Sequence, residues 1–161
     1  MKSPVARPGP SASALASLEA AQQFFADRGD QPWVQPRGFS LICKRATYTE
    51  SVDVLWDAPN HLVWILVGLD ATAPAALRAD LAAAICVVNA ELPVNGFQLR
   101  RGVVWKSHVF LDERGAVAAE VLARAVDLAA VIVFKYRPYL LAAATGEPLP
   151  ALPPHQETID G

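Results

Sequence analysis

SVDVLWDAPNHLVWILVGL, from Ser51 to Leu69, is the stretch on which the fold turns. Val52, Val54 and Trp56 alternate with other residues over Ser51 to Asp57. That two-residue period marks a strand with one face toward a core. Ala58-Pro59-Asn60 supplies turn chemistry, and His61 to Leu69 reads as the returning strand. With a three-residue loop, Asp57 faces His61, Trp56 faces Leu62, Val54 faces Trp64 and Val52 faces Leu66. This register gathers six apolar residues on one face, where aromatic and β-branched cross-strand pairs stabilise it. The other face carries Asp53, Leu55 and Asp57 beside Val63, Ile65 and Val67. It is polar on one strand and apolar on its neighbour. A strand apolar on both faces is usually covered on both sides, here by a helix, a second copy of the chain or a client protein.

Outward from the hairpin, Phe39 to Tyr48 reads as a preceding strand, with Phe39, Leu41 and Cys43 alternating. Gln31-Pro32-Trp33 and Pro36-Arg37-Gly38 read as loop. Before them, Leu15, Leu18, Ala21 and Phe25 share one side of a helix that Ser11 or Ser13 caps and Gly29 ends. After the hairpin, Thr72-Ala73-Pro74 is a helix start. Leu77, Leu81, Ile85 and Val88 give that helix its stripe, and Pro93 stops it. Gly96 to Leu99 and Val103 to Leu111 form a second hairpin. Its loop is Arg100-Arg101-Gly102, with Gly102 left-handed, and it sets Leu99 opposite Val103 and Phe97 opposite Trp105. A last helix runs from Val117 to Tyr136, apolar all round from Leu128 to Phe134, and Pro138 closes it. The fold class is therefore α+β: helix–three strands–helix–two strands–helix, with the helices packed on an antiparallel sheet. Residues 1–10 read as a disordered Pro/Gly-rich head, 11–145 as the domain and 146–161 as a Pro-rich disordered tail.

With 161 residues, the chain is long enough to bury a core without disulfides or metal. Its mean hydropathy of +0.25 is high for a monomer and points to an apolar surface that a partner covers. Its net charge of −2 gives no field that draws it to nucleic acid or to an anionic membrane. The longest stretch without Asp, Glu, Lys or Arg, Ala58 to Leu69, is too short to span a bilayer. The start, with Pro4, Pro8 and Pro10, reads as neither signal peptide nor lipidation site. Cys43 and Cys86 read as buried thiols of a cytoplasmic protein.

The chemistry-bearing residues do not assemble into a catalytic set. His61, His108 and His155 are far apart in sequence and lack metal-ligand spacing, so no metal or cofactor is expected. There is no phosphate cradle. Asp53 and Asp57 point the same way on one strand but lie roughly 13 Å apart, too wide for a glycosidase pair. Asp57 and His61 across the hairpin mouth form a candidate dyad without a nucleophile, for which a surface charge pair is the plainer reading. Arg100, Arg101, Lys106, Lys44 and Arg45 invite a nucleic-acid reading, but single-strand binding needs exposed aromatics. The register puts Trp105 in the core, so any nucleic-acid role is expected to be indirect, through a partner.

The segment Val88-Asn89-Ala90-Glu91-Leu92-Pro93-Val94-Asn95-Gly96-Phe97, the strand after it and the long last helix resemble the YbjN family. In that family an Asn ends the middle helix, and a small apolar turn with Gly and an aromatic opens the fourth strand. Asn89, Leu92, Gly96 and Phe97 hold those places here, and the element order agrees over about residues 13 to 144. The resemblance implies a fold like that of type III secretion chaperones. It also implies a homodimeric, non-enzymatic, chaperone-like or adaptor protein that binds a client. The candidate partner surface is Leu55, Val63, Ile65 and Val67. The alternative is a small-molecule-binding or enzymatic domain whose pocket is lined by Trp33, Tyr48 or the Asp57–His61 pair.

Overall fold

The structure is a computed structural model that describes residues 13–92 and 96–154. Among these the elements run β1 (Ala14–Leu15), α1 (Leu18–Asp27), β2 (Trp33–Gln35), β3 (Gly38–Lys44), β4 (Thr49–Asp57), β5 (Leu62–Leu69), α2 (Arg78–Glu91), β6 (Gly96–Leu99), β7 (Val103–Phe110), β8 (Val117–Ala118) and α3 (Ala119–Thr145). Six strands form one antiparallel sheet in the order β2-β3-β4-β5-β7-β6, and β1 pairs separately with β8. The expected α+β class and element order hold, with β1, β2 and β8 as additions too short for an alternation to show.

The central hairpin corrects the expected register. Ala58–Asn60 makes a 3-10 turn and His61 follows with φ of 53°, so β5 begins only at Leu62. Leu62, not His61, then pairs with Asp57, and Trp56 pairs with Val63, Leu55 with Trp64 and Val54 with Ile65. A one-residue slip in a strand moves every side chain to the opposite face. Val63, Ile65 and Val67 therefore join Val52 and Val54 in the core, all fully buried. The second hairpin has the expected pairs, Leu99 with Val103 and Phe97 with Trp105. Gly102 is not left-handed; among the described residues the glycines with positive φ are Gly29, Gly115 and Gly146.

The helices lie on one face of the sheet. Phe25 of α1 packs on Phe39 of β3, and Tyr136 of α3 meets Phe97 of β6. Arg137 of α3 reaches Glu50 of β4, a carboxylate only 4 % exposed among core residues. A buried charge is tolerated only when paired, so this ion pair ties helix to sheet.

Helix α3 runs past its expected end, with Pro138 inside it. An interior proline costs a helix about 3 kcal/mol. The turns beyond it bury Tyr139, Leu140, Ala142, Ala143 and Ala144, and burying one leucine alone contributes roughly 1.5–3 kcal/mol. Burial outweighs the proline. Helix α3 ends instead at Gly146, where Glu147 N–H returns to the Ala142 carbonyl. Leu128 and Phe134, in the segment whose apolar girdle marks a helix buried on several sides, stay 43 % and 39 % exposed. At the other end of the chain, Ser17 caps α1 through Ala20 N–H. Ser13 belongs to the approach to β1, and its carbonyl accepts from Ala119 N–H. Ser11, residues 1–10, the Pro93 helix stop and His155 lie outside the described residues. From Gly146 to Pro154 there is no regular secondary structure, and Leu152 packs against the core.

Candidate functional site

The sheet face away from the helices is where functional side chains can meet a partner. Strand periodicity builds it. On β4, Val52 and Val54 point to the core, so Asp53, Leu55 and Asp57 point out. On β5, Leu62, Trp64 and Leu66 point out, and on β7, Val104, Lys106, His108 and Phe110 do. The register sets these residues in rows: Asp53–Leu66–Lys106, Leu55–Trp64–His108 and Asp57–Leu62–Phe110. Leu55, Trp64 and Leu66 are half-buried, and Phe110 is 72 % exposed. Asp53 and Asp57 share one side of the face, as expected.

Trp64 organises the centre. Its indole N–H donates to Asp57 Oδ2 at 3.3 Å. Lys106 holds its ammonium 3.9 Å from the ring centroid, a cation–π contact. His108 meets Trp64 edge-on at 5.2 Å and Phe110 at 5.0 Å. Beside them a shallow depression of about 470 Å³ opens between Trp64, Lys106, His108, Gly96 and Asn89. On the β3 side, Gln35 donates to Ser40 Oγ, and Ser40 donates in turn to Asp53 Oδ1.

Asn89 and Gly96 act as one device at the rim. The Asn89 side-chain amide donates to the Phe97 carbonyl at 3.0 Å and accepts from the Phe97 N–H at 2.8 Å. It thus imitates a neighbouring strand for one residue of β6, instead of satisfying the end of α2. A Cβ on Gly96 would stand 2.8 Å from Asn89 Oδ1, so glycine is needed for this close approach.

The candidate dyad does not form. Asp57 accepts from Asn60 Nδ2 at 3.0 and 2.9 Å, and these bonds hold its carboxyl below the ordinary aspartate range. His61 places Nδ1 3.2 Å from the Asp112 carbonyl oxygen, a contact that requires the Nδ1–H tautomer. The proposed pocket residues also separate. Trp33 is exposed on the edge strand β2, while Tyr48 stacks on Phe134 of α3 at 5.1 Å. Trp105 is core, as its register required, and its buried indole N–H has no hydrogen-bond partner among the described residues. Cys43 is buried, and burial pushes its thiol up to about 11. Cys86 is exposed on α2, contrary to expectation. Among the described residues no group of three or more His, Cys, Asp or Glu could hold a metal ion, and no helix is long and apolar enough to cross a membrane.

Of the four expected partner-surface residues, only Leu55 lies on the open face. Val63, Ile65 and Val67 are beneath the helices, out of a partner's reach. The residues of the same strand that do lie on the open face are Leu62, Trp64 and Leu66. Its doubly apolar sequence signalled a second covered face but could not say which alternate set belonged to it.

No family model matches the chain, and no curated protein matches it. Among solved structures the fold is similar to that of YbjN from E. coli, described as a proposed transcription regulator. That likeness has a TM-score of 0.59 at 14 % identity and covers 86 % of this chain and 100 % of that one. At this identity the likeness is one of architecture: the chain has a YbjN-like α+β fold.

Proposed function

We propose that this protein is a non-enzymatic protein-binding module, a chaperone-like or adaptor protein of the cytoplasm that works as a homodimer and engages another polypeptide. The observation that carries this reading is the open sheet face. An antiparallel sheet that faces water on one side normally shows polar residues there. Here Leu55, Leu62, Trp64, Leu66 and Phe110 occupy it, with Asp53, Asp57 and Lys106 among them, a mixture of aromatic, aliphatic and a few charged groups that suits a protein interface. The functional groups nearby support binding and not bond-making. Asp57 is held by Asn60 and His61 lies against the Asp112 carbonyl, so the two do not form a pair. The YbjN-like fold is compatible with this role.

Phe110→Glu tests it. Phe110 is the most exposed aromatic of the face, so the variant should keep the wild-type circular dichroism spectrum. Tagged wild type and variant are compared for polypeptides retained from nuclease-treated native extract in high salt, untagged copies of this chain included. A polypeptide held by the wild type and lost by the variant supports the reading. Equal retention by both, or none by either, overturns it.

A further inference from the structure

Two charges on the open face, Asp53 and Lys106, are placed so that the face can complement itself. In the row Asp53–Leu66–Lys106, a carboxylate lies one strand to one side of Leu66 and an ammonium one strand to the other. Adjacent strands are about 4.8 Å apart, so the two charges flank the apolar centre evenly. Two such faces can meet about a two-fold axis in the plane between them, in two aligned ways. With the axis across the strands, β4 lies over β4 and carboxylate meets carboxylate. With the axis parallel to β5, β4 of each copy lies over β7 of the other. Leu66 then meets its own counterpart, and each Asp53 faces a Lys106, twice over. Neither residue is committed elsewhere in a way that forbids this. The hydrogen bonds from Ser40 and Gln35 both end on Asp53 Oδ1, leaving Oδ2. Lys106 rests on Trp64 within the same face.

We propose that a second copy of this chain covers the open face, about a two-fold axis parallel to β5, with Asp53 of each copy opposite Lys106 of the other. The proposal rests on the reading of this face as a protein-binding surface and names its occupant. Aligned sheets pack about 10 Å apart at about 30°, a gap that a lysine and an aspartate at the edge of a leucine–tryptophan centre can bridge. Isologous contacts of this kind are the commonest route to a dimer.

The test is a charge swap read by sedimentation equilibrium on the full chain. The wild type should be a dimer. Asp53→Lys presents two lysines on the face and Lys106→Asp presents two aspartates. Each variant alone sets like charges opposite each other, and each should dimerise about 100-fold or more weakly. An equimolar mixture of the two should recover a dimer, since both lysines of one copy then face the two aspartates of the other. The double variant D53K/K106D should recover a homodimer. General loss of folding cannot produce recovery on mixing, and circular dichroism of each variant checks its fold directly. Should Asp53→Lys fail to fold, Lys106→Asp alone must still weaken the dimer. A wild type that is monomeric at all concentrations overturns the proposal, as does a dimer unmoved by the swaps. If such a chain still holds a different polypeptide in a Phe110-dependent way, the protein-binding reading stands while the self-association falls.

Discussion

The two faces of β5 come from one run of apolar residues and have opposite fates. Val63, Ile65 and Val67 are sealed under α3, whereas Leu62, Trp64 and Leu66 look outward from a sheet face that none of the described helices covers. Hydrophobicity does not separate the two sets. What separates them is register: His61 belongs to the turn, so the strand starts one residue later than its composition suggests. A doubly apolar strand therefore has two apolar faces, and only the turn geometry says which one the chain's own helices cover. The sharpest way to break this comparison is to put the same charge on each face. Ile65→Asp buries an unpaired carboxylate and should cost at least about 4 kcal/mol, enough to unfold a domain of ordinary stability. Leu66→Asp, one residue away, should cost the isolated fold about 1 kcal/mol or less. Urea unfolding of both variants decides it. Similar losses at the two positions would mean that the two faces are equally covered within one chain.

A second contrast lies in the acids of β4. Glu50 points to the covered face and is held by Arg137. Asp53 points to the open face and is held by Ser40. Removing one partner of a buried ion pair costs about 3–5 kcal/mol. Arg137 is itself about a third exposed, so solvent screening reduces the expectation for Arg137→Met to about 2–3 kcal/mol. Asp53→Asn should lose about 1 kcal/mol or less, since its carboxylate stays in contact with water. Chemical denaturation at low protein concentration, where association does not contribute, gives both numbers. A larger loss at Asp53 than at Arg137 would reverse the assignment of faces.

Much of this architecture was legible, and the failures have common causes. The order of the long elements, the second hairpin's register and the burial of Trp105 followed from two-residue alternation and from Arg100-Arg101-Gly102. The end of α3 did not. Pro138 is a local stop signal, and the burial of Leu140 and its neighbours overrides it from outside the helix. The strands β1, β2 and β8 are two or three residues long, and nothing alternates over such a length. For the site, Asp53 and Asp57 were placed on their shared face, and Leu55 beside them. Trp64, Lys106 and His108 were missed as a cluster because they come together only once β5 and β7 pair. The sequence carried no signal for that pairing, as the two strands are separated by all of α2 and β6.

At the rim of the open face, Asn89 replaces a strand neighbour for Phe97 by two hydrogen bonds. Each is worth about 1 kcal/mol net, so Asn89→Ala should cost about 1–2 kcal/mol. Gly96→Ala should cost a similar amount by the same route, because the added Cβ displaces the Asn89 amide. The double variant should then lose much less than the sum of the two, since both act on one contact. Additive losses in a double-mutant cycle would show that Gly96 is required for its own backbone and not for the approach of Asn89.

The smallest effect expected distinguishes the faces by acid. Asp57 titrates below the ordinary aspartate range chiefly because the Asn60 amide donates to its charged form. Partial desolvation opposes this, and the Trp64 indole adds to it. A carboxyl whose folded value is depressed contributes stability that is present above its unfolded value and is lost as pH falls through the folded value. Trp64 reports that step directly, because its indole N–H donates to the same carboxylate. As Asp57 takes up a proton, the Trp64 indole resonance should move, with a midpoint below the ordinary aspartate range. The Trp105 indole, buried on the other face, should hold still until the whole domain unfolds. Asp57→Asn should abolish the Trp64 step and leave Trp105 unchanged. If Trp105 moves together with Trp64 in the wild type, acid is loosening the sheet as a unit. The open face would then have no titrating turn of its own.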